Sequence, residues 1–309
     1  MAESTMSTAV EDRSGAPDTT GRTTSTVSGA ATSRAIARKA GRAVVTIVVA
    51  LVVLALLWQA LLLVFDVSEF VGKSPMDVFQ YLFASDPPRG VRPASMSAEQ
   101  ARAESFGALG NTLLNALIGF VSGMVIATAV AIAFVLWKPV EFAFMPIAML
   151  LRSVPLVAMA PLLLLIFGQG KLGIAIIAAI VVLFPVLVNV VVGLNSASPQ
   201  SLDLISVNGG SALTALVKVR IPSALPEFLA SMRISVPGAF VGAMLAEWLV
   251  GFSGMGGVLS GYRGAGNYGG VWTIVTLSVV ASIVLYEVAT VFEAWVLSKW
   301  GPNAGVSAG

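Results

Sequence analysis

The chain has 309 residues, 57% of them hydrophobic and 11% charged, with a formal net charge of +2. It contains no cysteine and no histidine, which excludes disulfides, thiol catalysis and histidine-based metal or acid–base sites. A soluble domain has roughly a quarter of its residues charged, so a chain this apolar points to a bilayer.

Residues 1–33 are rich in Ser, Thr, Ala and Gly and poor in large apolar side chains. They can bury too little surface to offset ordering, and 1–43 is expected to be a disordered cytoplasmic tail. Arg34, Arg38, Lys39 and Arg42 crowd the entry to the first apolar run, Val44–Phe65, which keeps the N-terminus in the cytoplasm. That run exceeds the ~7–15 residues of a signal-peptide core, and the acidic residues of the tail argue against a transit peptide. It reads as an uncleaved anchor, with 44–65 the first transmembrane helix.

Residues 66–106 form an external segment. Ser74-Pro75-Met76-Asp77 is a helix start, with Ser as cap, Pro in the first turn and Asp near the N-terminus. The helix after it, carrying Val78, Phe79, Tyr81, Leu82 and Phe83, is apolar enough to lie in the membrane interface. Asp86-Pro87-Pro88-Arg89-Gly90 breaks it, and Ser97-Ala98-Glu99 opens a polar helical lead-in to the second span.

Residues 107–300 hold five further apolar runs of spanning length: Thr112–Trp137, Phe142–Phe167, Leu172–Leu194, Phe228–Val250 and Val271–Leu297. The expected fold is therefore an all-α membrane protein of six transmembrane helices. Both termini, including the tail 301–309, lie on the cytoplasmic side. Prolines interrupt the third, fourth and fifth spans, and Gly238, Gly242 and Ala246 form a small-residue face suited to close helix contact. The run 251-GFSGMGG-257 reads as a flexible external turn.

The connection at 198–226 breaks the apolar pattern. Ser198-Pro199 starts a short helix and Asn208-Gly209-Gly210 ends it. Ser211 caps a second helix in which Leu213, Leu216 and Val217 share one face; Pro222 is expected to end it and Pro226 to begin the next span. An apolar face standing off the membrane suits a partner protein; the competing reading is a helix lying on lipid headgroups.

This connection resembles the EAA loop of bacterial ABC-importer permeases: Glu-Ala-Ala, three residues, Gly, nine residues, Ile, any residue, Leu-Pro. Here the acid is Asp203, followed by Leu204 and Ile205; the Gly is Gly209; and the closing residues are Val219 and Ile221-Pro222. The spacing is kept and both alanines are lost. The resemblance runs from about Asn111 to Trp300 and is closest to the permeases for aliphatic sulfonates, taurine, nitrate, bicarbonate and thiamine-precursor pyrimidines. Its further pieces are 151-LRSVPLVAMAPLLLLIFGQG-170, 184-FPVLVNVVVGL-194, 221-IPSALPEFLASMRISVPGAFVGAMLAEW-248 and 254-GMGG-257. Where the family commonly carries an Arg before Gly-Phe in the second span, this chain has Asn115 before Gly119-Phe120.

The resemblance implies a type I, MetI-like importer bundle in the bacterial cytoplasmic (inner) membrane. Two permease copies would pair as a homodimer. Two cytoplasmic ABC ATPase subunits would dock on 198–226, and an extracytoplasmic solute-binding protein would deliver a small anionic solute such as a sulfonate, taurine or nitrate. The alternative solute is a neutral heterocycle such as a thiamine-precursor pyrimidine. ATP and Mg would be bound by the ATPase, with no cofactor, metal or catalytic residue in this chain and no nucleic acid among its partners. The run 168-GQGKLG-173 lacks the first Gly of a phosphate loop and has Leu172 where Ser or Thr must follow the Lys. Asp203, Gly209, Leu213, Leu216, Val217 and Pro222 are the candidate coupling residues.

Charges within spans cost roughly 2.5–3.5 kcal/mol at a helix centre and so face a partner or a cavity. Arg152, followed by Ser153 and Pro155, is the deepest, and with Glu247 these are the candidate path residues. The structural alternative gives Arg152 to broken-helix carbonyls and Glu247 to an Arg partner. An ion-coupled carrier or channel is the competing class, and would need the acids Glu247 and Glu287 for coupling.

Overall fold

Every regular element among the described residues is helical, as a backbone that must satisfy itself in lipid requires. The computed structural model describes residues 29–251 and 253–300, and at 29–40, 42–43 and 151–152 it describes the backbone alone. The expectations for the tails lie outside the described residues at 1–28 and 301–309.

Helix α1 (Gly29–Val64) carries the first span, and none of its most apolar window is buried. It meets the bundle near its C-terminal end, where Trp58 stacks on Trp272 at 4.9 Å and Trp272 Nε1 donates to Val71 O at 2.8 Å. Helix α2 (Pro75–Phe83) starts with a full capping box: Ser74 Oγ accepts from Asp77 N, and Asp77 Oδ2 accepts from Ser74 N. It seats Val78, Tyr81 and Leu82 inward. Arg92, itself buried, donates to the carbonyls of Tyr81, Ala84, Ser85 and Met96, occupying the orphan acceptors at the end of α2.

Helix α3 (Ala98–Leu136) is capped by Ser97 with Gln100 in a second capping box. Its 39 residues measure about 58 Å at 1.5 Å per residue, against a hydrocarbon core of about 30 Å. The polar start of α3 therefore stands clear of the membrane.

The third expected span, Phe142–Phe167, is not one helix. It is divided into α4 (Lys138–Ser153) and α5 (Leu156–Phe167). Pro155 has no N–H to continue the ladder and pushes Val154 out of the helical region, while Ser153 Oγ turns back to Leu150 O at 2.6 Å. Among the described residues five helices are long and apolar enough to cross a membrane, and α5 is a shorter apolar one.

Helix α6 (Lys171–Asn195) is the centre of the bundle, with Ile177, Ala178, Val182 and Val186 fully buried. It lies between α3 and α9 (Ile221–Val250), and glycine lets both approach. A Cβ at Gly119 of α3 would come within 2.4 Å of Ala178 Cβ, and one at Gly242 of α9 within 2.9 Å of Val181 Cγ2. The face expected from Gly238 and Gly242 is thus turned to α6. Gly119→Leu should lower stability by about 1–3 kcal/mol or more through overpacking. Gly110→Ala in the same helix, with nothing within 4 Å, should leave the melting temperature unchanged or raise it. Thermal unfolding of the two variants side by side checks this; equal melting temperatures would remove the argument for close packing.

Two further expectations are corrected. Pro222 does not end the second loop helix. After α7 (Pro199–Val207), the short α8 (Ala212–Ala215) runs through a π-helical turn, Leu216–Arg220, directly into α9. Ile221 N bonds Leu216 O, five residues back. The wide turn precedes Pro222, whose ring would press on the carbonyl four residues earlier in a regular α-helix. Nor is 254–257 a flexible turn; residue 252 of the same run lies outside the described residues. Gly254 starts α10 (Gly254–Gly264), and Gly254, Met255, Gly256 and Gly257 are all buried. The last helix, α11 (Tyr268–Trp300), brings Glu293 to Arg233 of α9 at 2.8 Å.

Candidate functional site

Among the described residues three places stand out, with a smaller polar cluster beside them. The first is the α7–α8 corner. Gly209 has φ +72°, a left-handed value that disfavours any side chain. Gly210 N bonds Ile205 O at 2.8 Å and Gly209 N bonds Ser206 O at 3.0 Å, a Schellman closure of α7. Ser211 Oγ then accepts from Thr214 N to start α8. Asp203 is exposed on α7 beside Leu204, and Val207 lies one turn on. Across the corner Leu213 and Val217 are 61% and 56% exposed.

Leu216 is different. It is 3% exposed and belongs to the core of its own chain. The apolar face expected from Leu213, Leu216 and Val217 is therefore split: Leu216 seats the turn, and Leu213 and Val217 remain outside with Leu204 and Val207. Pro222 is exposed in the first turn of α9. Arg220 donates to Leu194 O at 3.0 Å and Asn195 Oδ1 at 3.3 Å, fastening the turn to the C-terminal end of α6. Sequence reasoning missed Arg220, because nothing local to it marks a contact 26 residues away.

The second place is a cleft of about 590 Å³ where α4 breaks into α5. Ser153, Val154, Pro155, Leu156 and Met159 line one side, and Ile180, Val181, Phe184 and Pro185 of α6 the other. Ser153 and Pro155 are together here, as neighbours in sequence must be. The side chain of Arg152 lies outside the described residues. Glu247 is not among the lining residues.

Glu247 makes the third place, a buried node. It is 0% exposed, and among the described side chains no Arg pairs with it. Thr112 Oγ1 donates to Glu247 Oε2 at 2.6 Å, Asn115 Nδ2 to Oε1 at 2.9 Å and Gly256 N to Oε2 at 3.3 Å. Met255 N in turn donates to Thr112 Oγ1 at 2.8 Å. Three donors converge on one group, the pattern an acceptor-only carboxylate satisfies. Two of the N–H groups belong to the first turn of α10, which has no side-chain cap of its own. Glu247 and Thr112 therefore cap α10 from two other helices, where a negative group complements the helix dipole. Gly254 makes this possible: a Cβ there would fall 2.2 Å from Glu247 Cδ. Among the described side chains, hydroxyl, amide and backbone N–H donors hold the carboxylate where an Arg partner was expected.

A smaller polar cluster joins α2 to the α10–α11 corner. Asn267 Nδ2 donates to Tyr81 OH at 2.9 Å, and Gly270 N to Asn267 Oδ1 at 3.0 Å. Burial pushes the hydroxyls of Tyr81 and Tyr262 above the ordinary phenol range. Among the described residues no group of three or more acidic side chains could hold a metal ion.

The chain is similar to known proteins. A probable ABC transporter permease of Haemophilus influenzae is 29% identical over 204 residues, 66% of this chain and 77% of that protein. A formylaminopyrimidine transport permease of Halalkalibacterium halodurans is 26% identical over 60% of this chain and 75% of its own. A putative aliphatic sulfonates transport permease of Bacillus subtilis is 29% identical over 50% of this chain and 55% of its own. The family described as binding-protein-dependent transport system inner membrane component matches residues 123–298, a range that takes in α4 to α10 with the α7–α8 corner, the cleft and Glu247. The chain belongs to that family, the all-α inner-membrane permease components of ABC importers.

Proposed function

We propose that this chain is the path-forming subunit of an ATP-driven importer, and that a separate ABC ATPase docks on its α7–α8 corner. The observation that carries the reading is the exposed apolar face of Leu204, Val207, Leu213 and Val217, held on a corner fixed by Gly209, Leu216 and Arg220. A rigid corner continuous with α9 can turn closure of an ATPase into rocking of the spans. Asp203 and Pro222 sit at the rims of that face. The corner and both termini lie in the cytoplasm in this reading, and an external binding protein delivers solute to the opposite end.

Two copies pair so that their α4–α5 clefts face a shared path, with Ser153 and Pro155 on its wall and Arg152 at its edge. A guanidinium there suits the oxygens of a sulfonate, carboxylate or nitrate, and the solute is a small anion of that kind. The apolar lining around Ser153 favours a second solute class, a neutral heterocycle, in keeping with the pyrimidine permease among the relatives. ATP and Mg are held by the ATPase, and this chain supplies no cofactor site.

The test is co-purification and uptake with the cognate ATPase and binding protein in proteoliposomes. Leu213→Asp combined with Val217→Asp should abolish recovery of the ATPase and ATP-dependent uptake together, because charges replace the centre of the docking face. Membrane insertion should be unchanged. Normal recovery of the ATPase by the double variant would overturn the docking assignment.

A further inference from the structure

We propose that α2 is a membrane-surface anchor, with Met76, Phe79 and Phe83 seated in the headgroup–acyl boundary of the phospholipid bilayer at that end of the bundle. Helix α2 is apolar on two faces. Val78, Tyr81 and Leu82 face the bundle and are almost fully buried. Met76, Phe79 and Phe83, spaced three and four residues apart, form a second stripe and are 61%, 60% and 49% exposed. Phe79 and Phe83 touch, with ring centroids 5.0 Å apart. An ordinary external helix would carry polar side chains there.

The occupant follows from what the stripe adjoins. Val64 and Phe65, at the end of the first span, are exposed, as is Phe70 in the connection that leads to α2. Pro75, at the start of α2, lines the same apolar cavity as Trp58, Phe65 and Trp272. So α2 begins level with the ends of two spanning helices, at the depth where aromatic rings gather in membrane proteins. Exposed Phe65, Val67, Phe70 and Val71 carry the apolar surface of α1 on toward α2, with the exposed Asp66, Ser68 and Glu69 interspersed among them. A surface continuous with a lipid-facing span at that depth meets lipid, and a helix of this kind buries its apolar side a few ångströms into the interface.

The helix is also held in one orientation. Arg92 ties its last carbonyls, Arg102 Nη1 donates to Leu82 O at 2.9 Å, and Asn267 holds Tyr81. The stripe is therefore presented by a fixed element. Whatever α10 and α11 do during transport, α2 moves with their corner, and its lipid contact gives that corner a foothold on the bilayer.

The native chain has no cysteine, so single cysteines can be labelled without background. Met76→Cys, Phe79→Cys and Phe83→Cys, each carrying a nitroxide, are placed in the full chain in phosphatidylethanolamine–phosphatidylglycerol vesicles. Ser95→Cys, in an exposed part of the same external segment, is the aqueous reference. Power saturation should show the three α2 sites relaxed by oxygen in preference to a water-soluble nickel chelate, and Ser95 the reverse. Relaxation by the chelate at the α2 sites would put the stripe in water and overturn the proposal. Protection from both reagents would mean that another protein surface covers it, and would overturn it equally. The sites are surface positions, so three independent labels survive the loss of any one variant. The proposal rests only on the chain lying in a membrane, and neither outcome bears on ATPase docking.

Discussion

Inserting an alanine after Lys218 should abolish ATPase docking, whereas Lys218→Ala should preserve it. The π-helical turn Leu216–Arg220 already carries one residue more than a regular α-helix needs, and α8 and α9 are otherwise one continuous rod. A second extra residue has to be taken up as rotation. Everything before the insertion then turns by about 100° relative to α9, because a helix has 3.6 residues per turn. Leu216 leaves its buried seat, which forfeits about 1.5–3 kcal/mol of apolar burial, and Leu213 and Val217 no longer face outward. Lys218 itself is exposed, so truncating its side chain touches none of this. Co-purification with the ATPase should fall to background for the insertion and stay near wild type for the alanine variant. Arg220→Ala belongs to the same series. It frees the turn from Leu194 O and Asn195, so the ATPase should still bind while solute moved per ATP falls. Unchanged docking by the insertion variant would mean that the register of the corner does not matter, and the rigid-transmission reading would go with it.

What the sequence discloses and what it hides follow from the range of the forces involved. Helix starts are local. Ser74, Ser97, Ser198 and Ser211 are legible as caps because the hydroxyl and the N–H it binds lie three residues apart, and each makes that bond. The Gly209 turn is legible for the same reason. The apolar runs are legible because lipid forces them to be long. The breaks and continuities are less so. Three prolines read alike in the third span, yet Pro146 and Pro161 sit inside helices and Pro155 ends one; the difference lies in Ser153 and in the surroundings. Pro222 reads as a stop, and a widened turn lets the chain run on through it. The partners of Glu247 are hidden most thoroughly, since Thr112 and Asn115 are 135 and 132 residues away. A signal did exist. Asn115 and Glu247 are isolated polar residues in apolar spans, and each needs a partner that lipid cannot supply. Pairing them would have found the node. The same rule applied to Leu216, the residue of the corner whose burial decides its role, gives nothing, because an apolar side chain looks the same facing a core or a partner.

Glu247→Ala should be the most damaging single substitution in the bundle. The carboxylate is the common acceptor for Thr112, Asn115 and Gly256, all in a region closed to water. Removing it leaves three buried donors without acceptors, at about 1–3 kcal/mol each, and strips the N-terminus of α10 of its negative cap, worth about 0.3–1 kcal/mol or somewhat more when buried. Glu247→Gln has the same shape and keeps one acceptor oxygen, but its amide NH₂ must face a donor already in place, so one bond becomes a clash of hydrogens. Its effect should lie between those of the native residue and alanine. Thr112→Val tests the second half of the node. Valine matches threonine in shape but can neither donate to Glu247 nor accept from Met255 N, so α10 should loosen at its first turn while α3 and α9 stay packed. Thermal unfolding in nanodiscs should therefore rank the melting temperatures native, then glutamine, then alanine, with Thr112→Val below native. Hydrogen exchange should show the loss of protection centred on Met255 and Gly256 in every case. If Glu247 instead lined the solute path, alanine would leave the melting temperature and the α10 amides as they are and change only uptake, and that result would return Glu247 to the path and leave α10 without an account of how its buried first turn is satisfied.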